Sequence, residues 1–137
     1  MASEPTFNER IVEEFRANDG VVGGPFEGRP LLLLHHVGAR SGVERVNPVA
    51  YRSVDAGYAI FGSNNGRDTH PAWYHNLRAH PDATIEVGTS TIAVTAREAE
   101  GSEREEIWER QKVDRPAFAE YETKTSRRIP VLILEPR

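Results

Sequence analysis

The stretch LLLLHHVGARSGVERVNPVAYR, residues 31–52, carries the main fold information in this chain. Its first segment, 31–37, opens with leucines only, which is typical of a strand buried on both faces. Segment 38–42 has the glycines of a turn, and segment 43–52 is predicted to be a second strand. Pro48 lies inside that strand. Because proline has no N–H to donate, the strand should lie at a sheet edge or carry a bulge there.

Further segments with strand character follow this pair, and turns or short helices connect them. These strands are 58–63, 83–87, 90–96 and 129–136. Because the strands are short and linked by hairpins, the sheet should be mainly antiparallel, and closing about six strands into a small barrel removes exposed edges. We therefore expect a mainly β protein with flanking helices, built as a single domain over residues 1–137.

Helices are predicted from capping signals and from proline. A T-x-x-E capping box at Thr6 starts a helix within residues 1–20, where Phe7, Ile11 and Phe15 form one apolar face. This face predicts packing on the core, and the alternative is a mobile lid that contacts a membrane surface. The other predicted helix starts are Pro71, a second capping box at Ser102 and Glu105, and Pro116.

Composition and charge exclude several classes of protein. The chain is 38% hydrophobic and 28% charged, an ordinary globular balance, and its net charge of −4 argues against a general nucleic-acid binder. The absence of cysteine excludes disulfides, thiolate catalysis and thiolate metal sites. The N-terminus has no apolar leader, and the longest apolar run, 31–34, is too short for a membrane helix. We expect a soluble, cytoplasmic protein.

The histidines do not form a metal-binding pattern. His35 and His36 are adjacent on a predicted strand, so their side chains point to opposite faces. His70, His75 and His80 are five residues apart, which does not align them on one helix face. We therefore expect structural or surface histidines and no metal site.

The turn GARSG, residues 38–42, suggests anion binding more than nucleophilic catalysis. It is not the G-x-S-x-G elbow of hydrolases, because Ser41 has a different spacing and context. A tight turn can aim successive N–H groups at one point, and Arg40 and Arg45 could both reach a phosphate there. The alternative is an ordinary solvated turn, which this motif alone would favour.

The segment HPAWYHNLRAHP, residues 70–81, joins aromatic and amide side chains at the start of one short helix. With Pro71 as the first helical residue, the helix start exposes N–H groups and a partial positive charge. Trp73 and Asn76 should line that end, and the polar loop 63–69 precedes it. Core filling alone does not explain two donor-rich turns beside an aromatic helix end. Together they suggest a planar, anionic ligand held by its phosphate.

Four motifs make the chain resemble a known family. They are GARSG-x-x-RVNP (38–48), GSNNG (62–66), HPAWYHNL-x-A-x-P (70–81) and AEY…RRIPVLILEP (119–136). In these the chain resembles the deazaflavin-dependent nitroreductases, also described as quinone reductases that use coenzyme F420. The resemblance implies a split β-barrel fold related to FMN-binding split barrels. It also implies hydride transfer from reduced coenzyme F420 to a small-molecule acceptor, namely a quinone, an enone or a nitro compound.

The resemblance also implies roles for individual residues. Phe118 and Tyr121 should bind the acceptor, and Tyr121 should act in catalysis by donating a hydrogen bond to the oxygen that gains charge. Ala39 and Asn64 stand where the family often has basic residues, and Arg67 is a candidate replacement cation. The cofactor-binding residues implied are Arg40, Ser41, Gly42, Arg45, Asn47, Pro48, Ser63, Asn64, Asn65, Ala72, Trp73 and Asn76.

Other interpretations stay open at this point. FMN is an alternative cofactor, because it too combines a phosphate with a planar ring system. A non-catalytic carrier of the ligand or cofactor is a second alternative. Expected partners are the hydride acceptor and a second copy of the chain, since related split barrels often pair, together with peripheral contact to a membrane; no nucleic-acid partner is expected.

Overall fold

The computed structural model describes residues 6–23 and 30–137, except for the side chain of Asn65. Residues 1–5 of the predicted N-terminal helical segment and residues 24–29 lie outside the described residues. The helices are α1 (Phe7–Ala17), α2 (Ala72–Ala79), α3 (Gly101–Asp114) and α4 (Pro116–Lys124), with a 3-10 turn at Asn64–Gly66. The strands are β1 (Leu31–Val37), β2 (Glu44–Val54), β3 (Gly57–Phe61), β4 (Asp82–Val87), β5 (Ser90–Glu98) and β6 (Val131–Pro136).

The strands form a closed barrel in the order β1-β2-β3-β6-β5-β4. Every strand pair is antiparallel, and β6 completes the ring by lying between β3 and β5. The prediction of a mainly antiparallel six-stranded barrel with flanking helices is therefore confirmed.

Pro48 lies where β2 has a hydrogen-bonding neighbour on one side only. It pairs with Leu33 of β1, whereas the pairing of β2 with β3 begins only at Tyr51. The N–H of Tyr51 donates to Pro30 O on the β1 side at 3.3 Å. Because strand N–H groups alternate in direction, the nitrogen of Pro48 faces away from β1, and its missing N–H interrupts no ladder. The barrel is locally split beside this residue, as the proline predicted.

Inside the barrel, strand side chains meet one face of α2. Leu32 and Leu34 of β1 point inward and pack with Tyr74 and Leu77 of α2, all of them buried. The hydroxyl of Tyr74 also donates to Glu98 Oε1 at 2.6 Å. Helix α2 therefore closes one end of the barrel, which fixes its position relative to β1 and β2.

Helix α1 covers the outer face of β1. Ile11 and Phe15 are buried against Leu31 and Leu33, whereas Phe7 is 58% exposed. The Thr6 capping box is present, with the Thr6 side chain accepting from the N–H of Glu9. The apolar face of α1 therefore packs on the core as predicted, and α1 forms an outer layer over β1. No described helix is both long enough and apolar enough to cross a membrane.

Helices α3 and α4 cover the outer faces of β3 and β6. Trp108 is fully buried, and its ring lies 5.9 Å from that of Phe61 and 6.2 Å from that of Phe118. These aromatic contacts fix the α3–α4 junction close to the end of β3.

Two helix starts differ from the prediction. The Ser102 capping box was a wrong prediction, because α3 begins at Gly101 after Glu100 and this cap makes no side-chain hydrogen bond. Gly101 has a φ of +56°, a conformation that favours glycine and turns the chain one residue earlier than Ser102. Pro71 is the cap of α2 rather than its first residue, because its ψ of 152° is extended.

Candidate functional site

A cavity of about 1250 Å³ opens on the outside of the barrel, beside the split in β2. Its wall combines β2, the loop that follows β3, the start of α2 and the α3–α4 junction, and Asn8 of α1 borders it. The barrel thus brings together segments that are far apart in the sequence. A volume of this order is large enough for a ligand with several rings.

Eight of the residues that the resemblance singled out line this one cavity. They come from four separate segments of the chain, and the fold alone places them together. These residues are Asn47, Pro48, Ser63, Asn64, Ala72, Trp73, Phe118 and Tyr121.

Other predicted site residues do not line the cavity. Arg40, Ser41 and Gly42 belong to the exposed turn between β1 and β2, and Arg45 is exposed at the start of β2. The Asn65 side chain lies outside the described residues. Asn76 belongs to α2, and its side chain is buried.

The turn at 38–42 is held by its own hydrogen bonds and by α2. Gly42 N–H donates to Gly38 O at 3.0 Å, and its φ of +70° is one that glycine adopts without strain. The Ser41 hydroxyl accepts from Val43 N–H at 3.2 Å. The N–H of Ala39 donates to Asn76 Oδ1 at 2.9 Å, which docks the turn on α2. Phosphate binding by this turn stays a prediction.

A chain of buried hydrogen bonds runs from this turn to the cavity wall. Asn76 Nδ2 donates to His36 Nδ1 at 2.9 Å, and His36 Nε2 lies 2.6 Å from Asn47 Oδ1. His36 is only 2% exposed, and burial lowers the pKa of its imidazole. The histidine is therefore held neutral, and Asn47 reaches the cavity from a fixed support.

Aromatic rings of α4 also line the cavity. Phe118 packs edge to face on Phe61 at 5.5 Å and on Tyr121 at 5.4 Å between ring centroids. Tyr121 is half-buried, and its hydroxyl has no hydrogen-bond partner among the described residues. This side therefore offers apolar ring faces and one unused O–H donor.

Sequence reasoning did not identify Arg127, which braces the loop after β3. Its guanidinium donates to Ser63 O at 2.9 Å and to Arg67 O at 2.9 Å, and it lies 3.0 Å from His70 Nδ1. Burial lowers the pKa of His70, and the positive charge of Arg127 lowers it further. The neutral ring can then accept from Arg127. The Arg-Arg pair before the last strand was visible in the sequence, but nothing there linked it to residues more than fifty positions earlier.

Positive charge at the cavity comes from residues other than Arg40 and Arg45. Arg52, Arg67 and Arg115 border the cavity, and Arg52 is paired with Asp114 at 2.6 Å. The side chain of Arg67 is exposed and has no ion-pair partner in the described part of the chain.

These groups fit a planar, anionic cofactor. The ring faces of Trp73 and Phe118 supply apolar surface, and Pro48 borders the same space. Donors left unused by the described residues include the Tyr121 hydroxyl, the Arg67 guanidinium and Nδ2 of Asn47. Cations and donor groups around apolar surface match a ligand that joins a ring system to acidic groups.

Comparisons with known proteins agree with this arrangement. Residues 8–136 match the model of the F420H(2)-dependent quinone reductase family. An F420H(2)-dependent quinone reductase of Mycobacterium tuberculosis is 33% identical over 127 residues, which cover 90% of this chain and 85% of that protein. A solved structure of an F420-H2 dependent reductase is 41% identical, with a TM-score of 0.71, over 78% of this chain and 95% of that one.

Two further structures bear on assembly and on the fold. A chain described as a domain-swapped dimer is 38% identical, with a TM-score of 0.73, over 90% of this chain and 91% of that one. The heme storage protein HutZ of Vibrio cholerae shares the fold at 16% identity and a TM-score of 0.62, over 94% of this chain and 89% of that one. The motif-based resemblance is confirmed. The chain belongs to the F420H(2)-dependent quinone reductase family, and it is an oxidoreductase that uses coenzyme F420.

Proposed function

We propose that this cavity holds coenzyme F420 together with a quinone, an enone or a nitro compound. When bound, the reduced cofactor supplies the hydride that the acceptor takes up. The observation that carries this proposal is the convergence of eight predicted residues from four segments on one cavity. The protein contributes position and electrostatics, which is why no acid–base pair stands out among the lining residues.

Trp73, Ala72 and Pro48 form the wall against which the planar ring system lies. Trp73 is only partly buried and packs against the barrel core, so one of its faces is supported from behind. Pro48 borders the cavity beside the barrel split, where the absence of an N–H leaves no unsatisfied donor under an apolar ring. This wall restricts the orientation of the ring system.

Arg67 supplies positive charge for the acidic part of the cofactor. Asn64 stands where the family often has a basic residue, and it supplies no charge of its own. Its amide instead donates to Thr69 O at 3.0 Å and holds the loop. Arg40 and Arg45 would contact a tail that extends along α2 past Trp73. The turn that carries Arg40 docks on Asn76. Asn76 lies three residues after Trp73, which is about 4.5 Å further along the axis of α2. Ser41 and Gly42 belong to the same turn and would also contact that tail.

Tyr121 orients the acceptor and Phe118 supports it. The Tyr121 hydroxyl donates to the acceptor oxygen on which negative charge grows as hydride arrives, and such donors stabilise the transition state more than the ground state. Phe118, which cannot donate, contributes apolar surface through its contact with the Tyr121 ring.

Parallel titrations test the cofactor assignment. The intact protein is titrated with coenzyme F420 and with FMN while protein fluorescence is followed. Saturable binding of the deazaflavin with at least tenfold preference over FMN, about 1.4 kcal/mol, supports the proposal. Preference for FMN contradicts it. Oxidation of the reduced coenzyme is then followed with a soluble naphthoquinone, an enone and a nitroarene; binding without turnover on any of them would identify a carrier instead.

We also propose that the chain forms a homodimer. The support is the likeness, at 38% identity, to a chain described as a domain-swapped dimer. Light scattering coupled to size-exclusion chromatography should give twice the 15.3 kDa mass of the chain, and a monomer mass at micromolar protein would contradict the proposal.

A further inference from the structure

The polarity of the buried hydrogen-bond chain follows from its first member. The N–H of Ala39 can only donate, so the atom it contacts at 2.9 Å is the amide oxygen of Asn76. The amide nitrogen of Asn76 therefore faces His36, with 2.9 Å between Nδ2 and Nδ1. A backbone group thus fixes the orientation of an asparagine that would otherwise be free to flip.

The same logic continues through the imidazole ring. The Asn76 NH₂ group has no lone pair to offer, so His36 Nδ1 must accept and carries no proton. The proton of the neutral ring then lies on Nε2, which donates to Asn47 Oδ1 at 2.6 Å. The carbonyl end of Asn47 is occupied, and its NH₂ group is left for the cavity that Asn47 lines.

We infer that His36 is a positioning residue that makes Asn47 a hydrogen-bond donor toward the bound cofactor. Asn76 acts in the same chain, through His36, instead of contacting the cofactor itself. The inference rests on the proposed function, because it assigns the Asn47 NH₂ group to an acceptor atom of coenzyme F420. It predicts that the protein selects ligands that carry an oxygen or nitrogen lone pair at this position.

The surroundings of His36 keep the ring neutral. Asn76 packs against it from α2 and Asn47 from β2, and neither side chain carries a charge. The charged or titratable groups near it are Arg45 on β2 and, on the other face of its own strand, His35; the charge of each disfavours a second proton on His36. A protonated ring would set an N–H against the Asn76 NH₂ group and break the chain.

The first experiment measures the tautomer in the protein without cofactor. Nitrogen-15 NMR of the histidine rings should show, for His36, an unprotonated Nδ1 and a protonated Nε2 at neutral pH. Assignment comes from the His36→Gln variant, in which only this signal pair is lost. A proton on Nδ1, or a doubly protonated ring at neutral pH, would overturn the inference.

The second experiment compares coenzyme F420 affinity among three variants. His36→Leu keeps bulk and removes both hydrogen bonds, whereas His36→Gln keeps one acceptor and one donor and does not titrate. His35→Gln is the matched control, because His35 is the next residue on the strand and points away from the cavity. We expect an increase in Kd of about tenfold for His36→Leu, about 1.4 kcal/mol, and of less than about threefold for the other two.

The pH dependence of Kd for coenzyme F420 separates the positioning role of His36 from a purely structural role, because a structural role would leave that dependence unchanged. In the wild type, affinity should fall only at a pH below the ordinary histidine range, as His36 gains its second proton. This fall should be lost in His36→Gln and kept in His35→Gln. Equal affinities for wild type and His36→Leu would overturn the inference and leave the proposed function standing. Failure of the wild type to bind coenzyme F420 would contradict both.

Discussion

The α2 side of the cavity and its α4 side hold their residues by different means. On the α2 side, Asn47 is fixed through His36 and Asn76 by hydrogen bonds whose direction is set by a backbone N–H. On the α4 side, Phe118 and Tyr121 pack edge to face, and the Tyr121 hydroxyl has no hydrogen-bond partner within residues 6–23 and 30–137 as described. A directed network recognises one arrangement of donors and acceptors, whereas ring packing tolerates several shapes. The α2 side therefore suits a constant cofactor, and the α4 side suits variable acceptors.

The largest effect is expected for Trp73→Ala, which removes the proposed cofactor wall on the α2 side. Losing an apolar contact of this size costs about 2–3 kcal/mol, so Kd for coenzyme F420 should rise about 30- to 150-fold. Because Trp73 is only partly buried, its loss should destabilise the fold by less than the roughly 3–5 kcal/mol typical of a buried tryptophan. Fluorescence titration and urea unfolding measure the two quantities. If the variant unfolds more easily but its folded fraction binds coenzyme F420 with unchanged affinity, Trp73 only fills the core.

Tyr121→Phe tests the role of the α4 side. The substitution keeps the ring that packs on Phe118 and removes the O–H donor, so kcat should fall about tenfold while Kd for coenzyme F420 stays constant. Steady-state kinetics with a quinone and a nitroarene measure the loss for each acceptor. A change in cofactor affinity without a change in kcat would place Tyr121 with the cofactor and not with the acceptor.

Arg67→Ala and Arg40→Ala separate the two sources of positive charge. Arg67 borders the cavity and should bind the cofactor more strongly than Arg40, which lies on the exposed turn. We expect an increase in Kd of about tenfold for the first and of about threefold for the second, because Arg67 lines the cavity whereas Arg40 does not, and the attraction between exposed charges is screened more strongly with distance. Both effects should shrink as salt is added. An unchanged Kd for Arg40→Ala would remove the turn from the cofactor site.

The smallest effect concerns α1. Apart from Asn8, this helix is remote from both the α2 side and the α4 side of the cavity. Arg16 donates to Glu86 at 2.7 Å and lowers the pKa of that carboxyl group. A lowered folded-state pKa gives stability that is present above the unfolded value of about 4.5 and is lost as pH falls through the folded value. Glu86→Gln should therefore lower the free energy of unfolding at neutral pH by at most about 1 kcal/mol, and less in acid. Urea unfolding at two pH values checks this, and an equal loss at both would contradict the assignment.

Local patterns in the sequence were sufficient for most of the fold. The leucine run at 31–34 and the segments 83–87 and 90–96 predicted strands, and Pro48 marked the place where β2 lacks a neighbour. The Thr6 capping box marked a helix start correctly, whereas the Ser102 box did not, because Gly101 turned the chain first. Signals that act within one turn of the backbone are readable in this way, and competing local signals are where such reading fails.

Most of the helices and strands, the family and the candidate residues can be read from the sequence, because each depends on neighbours within a few positions or on motifs. Only the tertiary structure brought eight of those residues to one cavity and left Arg40 and Arg45 outside its wall. It alone revealed Arg127 bracing a loop some sixty positions away and His36 joining β1, α2 and β2. The physical reason is that barrel closure sets distances between segments that no local pattern relates. Hydrogen-bond direction, in turn, depends on the whole chain of partners.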